Sequence, residues 1–183
     1  MRKWFTYGPF TFFDIETTGM SPLNDRIIEI AAIRYNIDGI IEKFHSLVNP
    51  KRPIPPKISG INKISDDMVN GMPTFNEVGK SFLSFTEKST LVAHNAKFDL
   101  AFLQESFARE SLGNWSGLTL DSIKIIRFAF PNLPSYSLPK LSEYFNIQSC
   151  NRTFHRAMDD VEVMSAIFAI SLDKLTCGGK KEF

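Results

Sequence analysis

Asp14 and Glu16 stand two residues apart in Phe10-Thr11-Phe12-Phe13-Asp14-Ile15-Glu16, an aromatic and apolar run that leads into Thr17-Thr18-Gly19. On a strand, residues i and i+2 share a face, so both carboxylates point the same way. Side by side they repel, and partial burial adds a desolvation cost. Asp99 lies in His94-Asn95-Ala96-Lys97-Phe98-Asp99-Leu100-Ala101-Phe102-Leu103. At helical spacing it shares a face with Phe102 and Leu103. An acid on an apolar stripe needs a partner, although one near a helix N-terminus is also favoured by the dipole. Asp160 borders a third apolar stripe, formed by Ala157, Val161, Met164, Phe168 and Leu172, while Asp159 and Glu162 are expected to face solvent. His155 precedes that helix and can lean over the turn towards Asp160.

Taken singly, each of these residues also reads as an ordinary surface acid, helix-start acid or surface imidazole. Together they say more. Four mutually close carboxylates are not tolerable without cations, and all-oxygen ligands select hard metals, Mg²⁺ or Mn²⁺. Two ions about 4 Å apart clamp a phosphodiester and stabilise both attacking and leaving oxygens. A histidine, with an unperturbed pKa of about 6.5, suits general-base work on a water. The pattern predicts metal-dependent phosphodiester hydrolysis.

The elements that must position these residues follow from the pattern of apolar runs and breakers. Phe10 to Glu16, Ile27 to Tyr35, Ile40 to Val48 and Thr90 to Ala93 read as strands, with a hairpin signal at Asp38-Gly39. Lys51 to Pro56 reads as a loop. Helices are expected from Ser65-Asp66-Asp67 up to Gly71-Met72-Pro73, from an N-cap at Thr74 through Phe85, and from Ala96 to Glu110 with Asn95 as cap. Three more run near Asp121 to Phe130, Leu138 to Phe145 and Ala157 to Leu175. A hairpin followed by alternating strands and helices is a mixed-sheet α/β pattern, in which ligands sit at the carboxyl ends of strands.

Composition sets bounds. The 183 residues are 43% hydrophobic and 22% charged, which suits one domain and excludes a disordered or fibrous chain. Lys plus Arg is 21 against 20 for Asp plus Glu, so bulk charge alone will not hold a polyanion. Local help is expected from residues such as Lys97 or Arg156, each of which also reads as a solvated surface charge. No apolar run reaches the about eighteen residues of a membrane span. Arg2 and Lys3 precede aromatics, but Gly8, Pro9 and the threonines break the run, so no signal peptide is expected. Two cysteines, Cys150 and Cys177, lack metal-type spacing and favour a reducing, cytoplasmic setting. Most of the seventeen Phe residues are expected in the core.

These motifs resemble those of the DnaQ-like 3′–5′ exonucleases of the DEDDh group, a family that includes the proofreading epsilon subunit of DNA polymerase III. The matching text is Phe12 to Gly19, His94 to Asp99, and His155 with Asp160, joined by Ser59-Gly60-Ile61-Asn62, Asp66 to Val69 and Tyr136 to Leu141. The resemblance covers roughly residues 10 to 172. It implies a ribonuclease H-like mixed five-stranded sheet flanked by helices, in a single exonuclease domain over 1–183 with a short tail at 176–183. It implies Asp14, Glu16, Asp99 and Asp160 as ligands of two Mg²⁺ or Mn²⁺ ions, and His155 as general base. Thr17 and Thr18 are implied as contacts to the 3′-terminal nucleotide, whereas Phe98 reads as core packing. The expected substrate is a single-stranded or frayed nucleic acid 3′ end, DNA favoured, in replication or repair. An RNA-trimming exoribonuclease or a non-catalytic module that binds nucleic-acid ends would carry the same residues.

Two departures from the family stand out. Family members often place His before Gly-Ile, where this chain has Ser59. The epsilon subunit also carries a polymerase-binding extension, which the tail here does not resemble. Polymerase association through such a tail is therefore not expected. A haloacid-dehalogenase-like phosphatase, suggested by Asp14-Ile15-Glu16-Thr17 and Asp159-Asp160, would need Asp in place of Glu16. It would also leave Asp99 and His155 unexplained.

Overall fold

The structure is a computed structural model that describes residues 8–36, 41–147 and 156–177. The Asp38-Gly39 turn, Cys150 and His155 lie outside the described residues. Five strands, β1 (Phe10–Thr17), β2 (Ile27–Tyr35), β3 (Ile41–Leu47), β4 (Thr90–Ala93) and β5 (Thr119–Asp121), form one sheet in the order β3-β2-β1-β4-β5. The first three pair antiparallel, and β4 and β5 add on in parallel. The helices are α1 (Pro56–Asn62), α2 (Asp66–Val69), α3 (Phe75–Phe85), α4 (Ala96–Arg109), α5 (Ser122–Ala129), α6 (Leu138–Phe145) and α7 (Ala157–Cys177). This is the expected mixed five-stranded sheet flanked by helices.

β1 and β2 are buried nearly throughout because both sheet faces are covered, so their apolar residues run almost continuously rather than alternating with polar ones. Phe10, Phe12, Ala31 and Ile33 point into a core built with Val161, Met164, Ile167 and Phe168 of α7. The Phe12 ring meets that of Phe168 edge-on at 5.1 Å, a favoured aromatic geometry. Phe13, Ile15, Ile30 and Ala32 point the other way, onto Phe82 of α3 and Phe102, Leu103 and Phe107 of α4. Even-numbered residues of β1 therefore face α7, and odd-numbered ones face α3 and α4.

Local sequence accounts for most helix starts. Thr74 stands just before α3, and the Glu77 carboxylate accepts from both its amide (2.8 Å) and its hydroxyl (3.1 Å). Asp121 caps α5, accepting from the Ile123 amide at 3.0 Å. Asn95 occupies the position before α4 in the left-handed region (φ 67°), but its side chain makes no cap bond. Its amide instead donates to Asp121 Oδ1 at 3.3 Å.

Two elements escape the sequence pattern: α1, which starts where a proline-rich loop was expected, and β5, only three residues long. One expectation is overturned outright. Asp159 does not face solvent; it is 5% exposed, because α7 is enclosed by the sheet on one side and by α5 and α6 on the other. Among the described residues no helix is long and apolar enough to cross a membrane.

Candidate active site

β1 and β4 pair as far as Phe12 and Val92, and beyond that β1 runs on towards Thr17 with only β2 beside it. The carboxyl end of β1 thus emerges beside an opening in the sheet, the place where open α/β sheets bind ligands. Asp14 and Glu16 are even-numbered and face α7. Asp160, in the first turn of α7, meets them: one carboxylate oxygen from each of the three lies within 4.8 Å of the others.

Asp99 comes from the opposite layer, in the first turn of α4, where the apolar stripe expected from Phe102 and Leu103 is buried. It stands outside the triple contact. Yet after burial it is the charge that weighs most on Asp14, ahead of Asp160 and Glu16, and together they hold the Asp14 carboxyl well above its ordinary pKa. Burial, with repulsion from Glu16 and Asp121, pushes Asp99 up to about 8, against hydrogen bonds from its own amide and that of Ile15. Glu16 is pushed up to about 7, mainly by burial, with Asp160 and Glu29 adding repulsion. Three of the four acids named from sequence therefore meet, and the fourth, Asp99, lies near enough for its charge to bear on Asp14. What they share is a deficit of positive charge, and an all-oxygen donor set of this kind fits a hard divalent cation.

Asn62, in the segment between the first two acidic motifs, is 1% exposed and donates to Glu16 Oε2 at 3.4 Å. Its Oδ1 accepts from the Ile64 amide, so the end of α1 is folded to present this side chain. Ser59 lies one turn earlier in α1, at the position where the family often has histidine.

The turn after β1 is built from its own side chains. Thr17 Oγ1 donates to the Gly19 carbonyl (2.6 Å), and Thr18 Oγ1 donates to Asp25 (3.3 Å) while accepting from the Arg26 amide (3.0 Å). A Cβ at Gly19 would meet the Asp25 carboxylate, which Thr18 and the Ser21 amide hold, so a side chain there would have to displace it. Three guanidiniums grip the next stretch of backbone. Arg26 donates to the Asn24 and Asp25 carbonyls, Arg52 to that of Asn24, and Arg109 to those of Pro22 and Leu23.

Arg156 was expected as a surface cation available to substrate; the structure corrects this. It pairs with Glu29, its Nη2 donating to Oε1 at 2.7 Å. Glu29 interrupts the apolar strand Ile27-Ile28-Glu29-Ile30-Ala31, a signal that sequence reading passed over. Burial would raise its carboxyl, but hydrogen bonds from His45, Arg156 and the Ala157 amide bring it down to about 2. His94 is structural. Its Nε2 lies 2.7 Å from the Tyr136 carbonyl, which can only accept, so Nδ1 takes the Ser122 hydroxyl. Phe98 packs on Phe102, ring centroids 5.0 Å apart.

Comparison with known proteins gives the family and the fold. A family model described as RNase_T, exonuclease, matches residues 11–168. The chain is 39% identical over 161 residues to the DNA polymerase III subunit epsilon of Treponema pallidum, covering 87% of this chain and 74% of that protein. It is 37% identical over 168 residues to a PolC-type DNA polymerase III of Caldanaerobacter subterraneus, covering 92% of this chain but spanning only 12% of that relative's length. Among solved structures, E. coli exonuclease I in complex with a dT13 oligonucleotide superposes with a TM-score of 0.79 at 21% identity, over 92% of this chain and 42% of the other. Exonuclease X in complex with 5′-overhanging duplex DNA gives 0.66 at 28% identity, over 92% and 93%.

Proposed function

Because the chain belongs to the RNase_T exonuclease family, we propose that it is a metal-dependent 3′–5′ exonuclease that releases 5′-mononucleotides, from DNA in preference to RNA. The observation that carries this reading is the meeting of Asp14, Glu16 and Asp160 within 4.8 Å, with Asp99 adding its charge to the same point. Asp14, Glu16, Asp99 and Asp160 would hold two divalent ions, Mg²⁺ or Mn²⁺. When bound, such ions supply positive charge to the scissile phosphate and make an attacking water more acidic. His155, one residue before Arg156, would serve as general base towards an attacking water. The turn at Thr17 and Thr18 receives the terminal nucleotide, and a single-stranded or frayed end enters more readily than an intact duplex.

The name of the epsilon relative and the oligonucleotide complexes of the structural neighbours support DNA as substrate and a polymerase as partner. A role in proofreading or repair follows. The test is hydrolysis of matched 3′-labelled DNA and RNA oligonucleotides with Mg²⁺, with Mn²⁺ and with neither. The expected result is metal-dependent release of labelled mononucleotide, faster from DNA and abolished by Asp14→Ala. Faster release from RNA would move the substrate to RNA. Metal binding without any hydrolysis would leave an end-binding module.

A further inference from the structure

Glu29 is a buried carboxylate with no place among the four acids of the site, yet it touches the helix that carries one of them. Its side chain is 1% exposed. Across the β1–β2 pairing it stands directly opposite Glu16, on the face that α7 covers. Like charges in that position repel, and Arg156, the residue just before α7, lies close enough to be drawn to both.

The contacts to Glu29 are directional. Arg156 Nε donates to both carboxylate oxygens at 3.2 Å, and its Nη2 to Oε1 at 2.7 Å. The Ala157 amide donates to Oε2 at 3.1 Å. Ala157 opens a 21-residue helix whose first amides have no partner within the helix. Glu29 therefore caps α7 from the sheet, with a charge that the helix dipole favours. From the other side His45 Nε2, on β3, lies 2.8 Å from Oε1. The Arg156 carbonyl in turn accepts from the Asp160 amide at 3.1 Å. A continuous path thus runs from Glu29 through Arg156 to Asp160, and His45 touches Glu29 from outside it.

The body of α7 has separate anchors. Its apolar stripe packs on β1 and β2, Lys43 pairs with Glu162 at 2.7 Å, and the Tyr35 hydroxyl lies 3.2 Å from that of Ser165. What the Glu29 contacts add is the exact seat of the first turn. We infer that Glu29 is a positioning residue for the proposed nuclease site: by holding Arg156 and the Ala157 amide it sets where Asp160 meets Asp14 and Glu16. This inference rests on the nuclease reading above. Partners that orient a ligand from behind are typically worth about 10–100-fold in metal affinity or activity.

The experiment compares wild type, Glu29→Gln and His45→Ala, with circular dichroism to confirm folding. Two quantities are read: steady-state hydrolysis of a 3′-labelled DNA oligonucleotide, and Mn²⁺ binding followed by the electron paramagnetic resonance of free Mn²⁺. Glu29→Gln is expected to lower kcat about tenfold or more and to weaken Mn²⁺ binding about tenfold. The KM for oligonucleotide stays within about twofold, since no substrate contact is lost. His45→Ala, which leaves the grip on α7 in place, stays within about twofold of wild type in kcat and Mn²⁺ binding, and a tenfold loss there would overturn the inference. Should Glu29→Gln not fold, Arg156→Ala is expected to show the same losses and Arg156→Lys to recover part of them. An active wild type with a variant unchanged in Mn²⁺ binding and kcat, or changed only in KM, overturns the positioning role alone. A wild type that binds Mn²⁺ without hydrolysing DNA or RNA oligonucleotides defeats the nuclease reading and this inference with it.

Discussion

Glu16 and Glu29 face each other across β1 and β2 on the same side of the sheet, yet their carboxyls move in opposite directions, to about 7 and about 2. Burial presses on both. The difference is what the fold supplies: Glu29 receives a guanidinium, an imidazole and a helix amide in direct hydrogen bonds, whereas Glu16 receives one amide of Asn62 and the weaker pull of Arg156 against the charges of other acids. A buried acid that the protein neutralises itself is part of the scaffold. A buried acid left among its own kind is prepared for a cation from outside.

The sharpest way to break this contrast is chemical. Asp14→Ala should lower mononucleotide release by at least about a hundredfold, the scale of losing a group that stabilises transition-state charge, while its circular dichroism spectrum stays native. Unchanged activity would remove the acids from the reaction.

Next comes metal and pH. Glu16 and Asp99 hold protons in the folded state that the unfolded chain gives up near pH 4. Metal-free stability should therefore fall as pH climbs from about 4 towards 8, the reverse of the usual acid behaviour. Glu29 works in the other direction, losing its contribution only as pH falls towards about 2. At pH 8, Mn²⁺ at a hundredfold excess over its Kd should restore about 2.7 kcal/mol, read as a rise in Tm; a Tm indifferent to the ion would contradict a preformed cluster.

The two glutamates themselves should then differ in sign. In metal-free urea unfolding at pH 8, Glu29→Gln should cost about 2 kcal/mol through lost charge-assisted bonds. Glu16→Gln should add about 1 kcal/mol by relieving repulsion. Shifts in the same direction would dissolve the distinction. The smallest effect is expected from Asn62→Ala, which removes the bond to Glu16 and should cost about 1 kcal/mol or less in the same assay.

Asp14, Glu16, Asp99 and Asp160 were legible in the sequence because each lies on or beside an apolar pattern, where a charge is conspicuous. Ile27–Tyr35 and Phe75–Phe85 were legible because long apolar runs and a Thr-Glu cap leave few alternatives. β5 was not: three residues are too few to show a period, and its place is set by pairing with β4. α1 was hidden by prolines that read as loop, although Pro56 fits the first turn of a helix. Asp159 and Arg156 were misjudged because helical spacing on α7 shows one apolar face but not how many neighbours enclose the helix. Asn62 and Glu29 depend on contacts between segments far apart in the chain, which no local pattern records.

The arginine grip on the carbonyls of Pro22 to Asp25 has a consequence of its own. Leu23, 73% exposed, rides on this stretch, and Met20, 76% exposed, stands just before it. The turn after β1 is thus braced both from the loop before α1 and from the end of α4, so the backbone that carries these two side chains is tied to distant parts of the chain.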